Sequence, residues 1–152
     1  MSFYSVGKSE DRCRFFYNNS SGIETTIATQ NQWTSFSGSL WNLNGYPQSF
    51  IHEGERKIKY TSGTSNIFLL FIDVELESAG NNIDYETQLF KNDSSMAESS
   101  IFYSYKTTPL HQSHLFIIEL QKNDELELKI RNITDATNVT IHHSTIVLSS
   151  IT

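Results

Sequence analysis

Six apolar residues stand in a row from Ile67 to Ile72 (Ile67, Phe68, Leu69, Leu70, Phe71, Ile72) in a chain that is otherwise markedly polar. Successive residues of a strand point to opposite faces, so an extended run of this kind has to be covered on both sides. The competing element, a helix, needs ten or more residues with apolar positions three or four apart. No segment of the chain has that period. Ser, Thr and Asn are plentiful, and their side chains compete for backbone hydrogen bonds inside helices. Ile, Thr, Tyr and Phe suit a pleated surface. The chain is therefore expected to be all-β.

The remaining runs divide into two kinds. His114 to Leu120 carries Leu115, Phe116, Ile117 and Ile118 without a break, and the last run has Val139, Ile141 and Val147 on one face with Ile146 and Leu148 on the other. These two resemble the Ile67 run in being apolar on both faces. Four others alternate with period two and so have one wet face. In Lys57 to Thr61, Ile58 and Tyr60 oppose the lysines; in Ile83 to Leu89, Ile83, Tyr85 and Leu89 oppose Asp84, Glu86 and Gln88. Ile101 to Lys106 puts Tyr103 and Tyr105 together, and Glu125 to Ile130 sets Leu126, Leu128 and Ile130 against Glu125, Glu127 and Lys129. On this reading Glu127→Lys shifts stability by about half a kcal/mol at most, as at exposed sites. Leu128→Ala costs about 2–5 kcal/mol by opening a core cavity.

A sandwich covers one side of each sheet. If the three two-faced strands share a sheet, its other side is a large apolar patch, which soluble monomers rarely tolerate. Self-association in closed symmetry is the simplest cover. The alternative is that the first 55 residues fold over it.

With 152 residues the chain suits one domain. Its boundaries are placed as an arm with first strands over 1–40, linking to a shaft or a partner, and the sandwich proper over 41–152. The net charge of −6 and the absence of any Lys/Arg run leave no basic face for nucleic acid or an anionic membrane. No stretch approaches a membrane span, and the N-terminus lacks the basic-then-apolar pattern of a secretion signal. Cys13 is the single cysteine, so no intrachain disulfide forms.

Catalytic signatures are missing: there is no nucleophile elbow, phosphate loop, zinc spacing or pair of acids in a cleft. The expectation is a non-enzyme with no cofactor and no metal. Asp73 and Glu75 end an otherwise apolar strand, where they run out into solvent. His142 and His143, adjacent on a strand, face opposite ways and so do not chelate one ion; His111 and His114 read as packing or surface histidines. Trp33, Trp41, Tyr46, Tyr103 and Tyr105 are read first as core or interface filling. The sequons at Asn18, Asn19, Asn92, Asn132 and Asn138 follow from an Asn-rich composition.

An ordered set of features between Trp41 and Leu148 resembles the tumour-necrosis-factor/C1q-like trimeric jelly rolls, especially those forming heads of bacteriophage and virus fibres. Trp41 precedes a polar loop, and Arg56-Lys57-Ile58-Lys59-Tyr60-Thr61-Ser62-Gly63 leads into the apolar strand at Ile67. Leu89-Phe90-Lys91-Asn92-Asp93 is similar to a family strand that ends in a lysine-asparagine turn. Leu120-Gln121-Lys122-Asn123-Asp124-Glu125-Leu126-Glu127-Leu128 is similar to its turn into alternating carboxylates and leucines. Asn132-Ile133-Thr134 and Asn138-Val139-Thr140-Ile141 match the entry to its closing strand.

The resemblance implies an antiparallel two-sheet jelly-roll sandwich, homotrimeric, whose inner sheet faces a threefold axis. The interface residues expected there are Ile67, Leu69, Phe71, Ile117, Ile146 and Leu148. It further implies a viral or phage fibre or spike head at the virion surface, or another extracellular setting. The expected partners are further copies of itself, a host-surface glycan or protein receptor, and a capsid protein. The alternative is a carbohydrate-binding or adhesin module of non-viral origin. Binding residues on a rigid sandwich usually sit on loops, which points to Trp41 and Tyr46 in one connection and Asn92 and Ser94 in another.

Overall fold

The computed structural model describes residues 12–37, 42–45, 49–54 and 56–151. Among these residues, twelve strands follow in chain order: β1 (Arg12–Thr25), β2 (Thr34–Ser35), β3 (Asn42–Gly45), β4 (Phe50–Glu53), β5 (Lys57–Tyr60), β6 (Asn66–Ser78), β7 (Ile83–Lys91), β8 (Ser94–Ser95), β9 (Ile101–Tyr105), β10 (Leu110–Leu120), β11 (Glu125–Asn132) and β12 (Val139–Ser150). One 3₁₀ turn, Ala97–Ser99, lies between β8 and β9. The strands form two antiparallel sheets. One runs β10-β6-β12-β1-β3; the other runs β4-β5-β11-β7-β8, with β9 also on β7 and β2 also on β11. The expected all-β, two-sheet jelly-roll arrangement holds.

The division of strands by pattern is a division by sheet. The three two-faced runs, β10, β6 and β12, are neighbours in the five-stranded sheet, and the four alternating runs, β5, β7, β9 and β11, all lie in the other. Between the sheets sits one core. Phe68, Leu70, Ile72, Val74 and Leu76 of β6 meet Tyr85 and Leu89 of β7 and Leu126, Leu128 and Ile130 of β11, all of them buried. Tyr103 and Tyr105 are also inside, so the first reading of these two as core filling is the correct one.

Two irregularities reset which side chains face the core. Strand β12 shifts register on β6 between Ile141 and His143, and an extra residue in a strand reverses the alternation beyond it. Val139 and Ile141 therefore face the core before the bulge, and Ile146 and Leu148 face it after. This corrects the expected interface: Ile146 and Leu148 are core residues, 1% and 0% exposed, and Val147 is the apolar residue left outside. Opposite this bulge, β1 shifts register between Asn18 and Ile23. Gly22 sits there with φ +68°, where a Cβ would collide with Thr140 and crowd the His142 ring.

Of the residues set apart as 1–40, those described belong to the sandwich. Strand β1 lies between β12 and β3, and its Cys13 and Phe15 are in the core. Residues 29–35 lie along the second sheet. The Asn31 amide donates to the Asn132 carbonyl, Gln30 donates to the carbonyls of Ile133 and Thr134, and β2 pairs β11. They also cover part of the face expected to be wet. The Trp33 ring packs edge-on to Phe90 at 5.4 Å and lies under the Arg131 guanidinium at 4.7 Å. Glu86, Gln88 and Glu127 are buried on this sheet, Glu86 accepting from Arg131 and Gln88 donating to the Ser100 hydroxyl. Glu127 accepts a hydrogen bond from the Ser35 hydroxyl and pairs with Lys129. Its expected tolerance of lysine is thereby corrected: reversing a buried, bonded charge costs well above half a kcal/mol.

Candidate functional site

The outward side of the five-stranded sheet is a continuous face shared by β1, β12, β6 and β10. Cross-strand register orders it in rows. One row runs Arg14, Val147, Phe71, Leu115 across β1, β12, β6 and β10. The next runs Arg12, Ser149, Leu69, Ile117, and beyond it lie Ile67 and Glu119. In the opposite direction come Phe16, Thr145, Asp73, Ser113 and then Asn18, His143, Glu75, His111. One end of the face is thus apolar and the other acidic and imidazole-bearing.

At the apolar end, Leu115 is 55% exposed, Ile117 61% and Ile67 37%. Four of the six residues expected at the interface, Ile67, Leu69, Phe71 and Ile117, share this face. A shallow hollow of about 310 Å³ opens beside them, lined by Arg12, Arg14, Phe71, Asp73, His143, Thr145 and Val147.

The polar end is knitted together. Asp73 takes a hydrogen bond from His111 at 2.7 Å on one oxygen and sits 3.2 Å from His143 Nε2 on the other. Asp73 therefore does not simply run out into solvent, as expected. The β12 bulge also brings His142 to Glu77 at 3.0 Å, on the side of β6 that carries Asp73. The expectation that His142 and His143 face opposite ways is overturned because His142 is itself the extra residue of the bulge. Among the described residues no group of three or more His, Cys, Asp and Glu is placed to hold a metal ion.

Of the expected binding residues, Asn92 and Ser94 are among those described. Asn92, in the left-handed region at φ 51°, uses its side chain internally: Nδ2 donates to Asp124 and Oδ1 accepts from the Glu125 amide. Ser94 is exposed on β8, which pairs back onto β7. Trp41 and Tyr46 lie outside the described residues. Asn132, one of the sequon residues, is fully buried. Its amide donates to Asp135 and Thr137, and its oxygen accepts from the amides of Thr134 and Asp135.

No family model matches the sequence, and no curated protein matches it. Solved structures do. Eiger TNF from S. frugiperda superposes with a TM-score of 0.63 at 12% identity, covering 94% of this chain and 93% of that one. Murine APRIL at pH 5.0 gives 0.62 at 11% identity, covering 92% and 99%. PRD1 vertex protein P5 gives 0.58 at 16% identity, covering 93% and 97%. The fold is that of the tumour-necrosis-factor-like jelly rolls. At these identities the TNF-like likeness is one of backbone architecture, and it extends over nearly the whole described chain. It therefore includes β1, which the sequence resemblance left out by starting at Trp41. Among the described residues no helix is long and apolar enough to cross a membrane.

Proposed function

We propose that this chain is a trimeric head whose work is binding and assembly rather than catalysis. The observation that carries the reading is the exposed apolar end of the outward sheet face, with Ile67, Leu115 and Ile117 open to solvent on strands rigidly placed in the sheet. A patch of that kind calls for a protein cover, and three copies around an axis provide one. A TNF-like sandwich named as a vertex protein supports a place at a virion surface, with a capsid partner and a host receptor as the contacts. The TNF proteins support an extracellular receptor-binding role of the same geometry. The loops bearing Trp41 and Tyr46 and the turn at Asn92 and Ser94 are the proposed contact points, three copies of each acting together.

Light scattering on the full chain tests the reading, with a mass of three chains expected. Phe71→Glu buries a charge beside its symmetry mates and is expected to give a folded monomer. A wild-type chain that stays monomeric at high concentration overturns the proposal. A second reading, a carbohydrate-binding module, draws on Phe102, 64% exposed on β9 and paired across the strand with Glu86. Binding on a glycan array by the wild type, lost in Phe102→Ala, favours it.

A further inference from the structure

The outward face carries a projection at one edge and a hollow towards the other, and their charges are opposite. Leu115, Ile117 and Glu119 project from β10, the edge strand. Three strands across, Arg12 and Arg14 flank the hollow floored by Phe71 and Val147. Arg12 is exposed and forms no ion pair with a described residue. The Glu119 side chain likewise has no cationic partner among the described residues; it is its backbone carbonyl that accepts from Lys91. Within one chain β12 and β6 lie between these two groups. That is three strand spacings, about 14 Å, too far for them to meet.

Resting on the reading of the chain as a ring-forming head, we infer that Glu119 of one copy pairs with Arg12 of the next. Leu115 and Ile117 of the first copy then occupy the hollow of the second. An axis parallel to the strands keeps every residue at its own height. Leu115 and Ile117 share the rows of Val147, Phe71 and Arg12, so they arrive opposite the hollow. Glu119 lies one row further along, about 7 Å away, a step that the length of an arginine side chain spans. The contact is heterologous, one edge against a different part of the neighbour's face, and a contact of that kind gives a ring when its rotation closes, here after three copies. Complementary charge fixes which edge meets which.

Charge exchange in the full chain tests the contact. Arg12→Glu and Glu119→Arg are each expected to raise the concentration at which the trimer dissociates by about tenfold or more, as for close interfacial charge pairs. The double variant is expected to return it close to the wild-type value, and circular dichroism to stay that of the folded wild type throughout. Single variants that dissociate like the wild type overturn the inference, and so does a double variant no better than either single. In both cases a trimeric wild type leaves the ring itself standing. A monomeric wild type removes the ring and the pair together.

Discussion

Asn92 and Asp124 lock two turns of the second sheet to each other. Nδ2 of Asn92 donates to an Asp124 oxygen at 2.7 Å, while the other Asp124 oxygen accepts the Gln121 amide at 2.8 Å and lies 3.0 Å from Lys91. The lysine-asparagine turn and the Asn123-Asp124 turn, two separate features in sequence, are one structural unit. A residue proposed to contact a ligand thus has its side chain committed to holding the scaffold that presents its neighbours.

Burial pushes the Asp124 carboxyl up, but the Gln121 amide, Asn92 and Lys91 together outweigh it and hold it below the ordinary carboxylate value. A depressed folded value means that the contribution is complete above the unfolded value near 3.9. It is lost as pH falls through the lower folded value. Asp124→Asn is expected to cost about 1–3 kcal/mol at neutral pH. Melting scans between pH 2 and 6 should also show a flatter acid limb than the wild type. A variant whose acid limb keeps the wild-type slope would show that other carboxylates carry that loss.

Ser144 faces inward beyond the β12 bulge, and its buried hydroxyl has no hydrogen-bond partner among the described residues. An unsatisfied buried hydroxyl costs about 1–3 kcal/mol. Ser144→Ala is therefore expected to raise the melting temperature by about 2–4 °C, the shift that 1 kcal/mol brings in a chain of this size. An unchanged or lowered melting point would place an internal water on Ser144.

Much of this architecture was legible because burial writes itself into strand pattern. Two-faced runs became the five-stranded sheet and alternating runs the other. What the pattern could not carry was a change of phase. The bulge at His142 has no sequence mark stronger than a pair of histidines, yet it turns Ile146 and Leu148 from surface to core and gathers His142 and His143 towards acids of one sheet face. Strand β1 was hidden for a related reason: its own irregularity at 18–23 breaks the alternation that would have announced it. Nor does local sequence show that Trp33, far along the chain from β7 and β11, packs against Phe90 and under Arg131, or that Ser35 bonds Glu127.

The phase assignment is testable by substitutions on the two sides of one sheet. Leu148→Ala removes a core side chain and is expected to cost about 2–5 kcal/mol. Ile117→Glu, on the exposed side, is expected to leave the folded circular dichroism spectrum intact while lowering the solution mass to that of one chain. Loss of folding in Ile117→Glu, with little effect of Leu148→Ala, would invert the faces.

The facing bulges yield the sharpest stability prediction. Gly22 and Gly54 have nearly the same backbone conformation, φ +68° and +65°, so an alanine at either one carries about the same strain, roughly 1–2 kcal/mol for a left-handed residue. Their surroundings differ. No described residue comes within 4 Å of a Cβ at Gly54, whereas one at Gly22 would collide with the Thr140 methyl and lie 3.0 Å from the His142 ring. Those neighbours belong to the β12 bulge, and moving them disturbs the His142 contact with Glu77. Gly54→Ala is thus expected to cost only the strain. Gly22→Ala is expected to cost more by about 1–3 kcal/mol, the usual range for overpacking, a further fall of several degrees in melting temperature. Denaturant titration of the two variants side by side isolates the difference. Equal losses would mean that β1 and β12 do not approach each other closely at this point, and the phase change assigned to their bulges would lose its support.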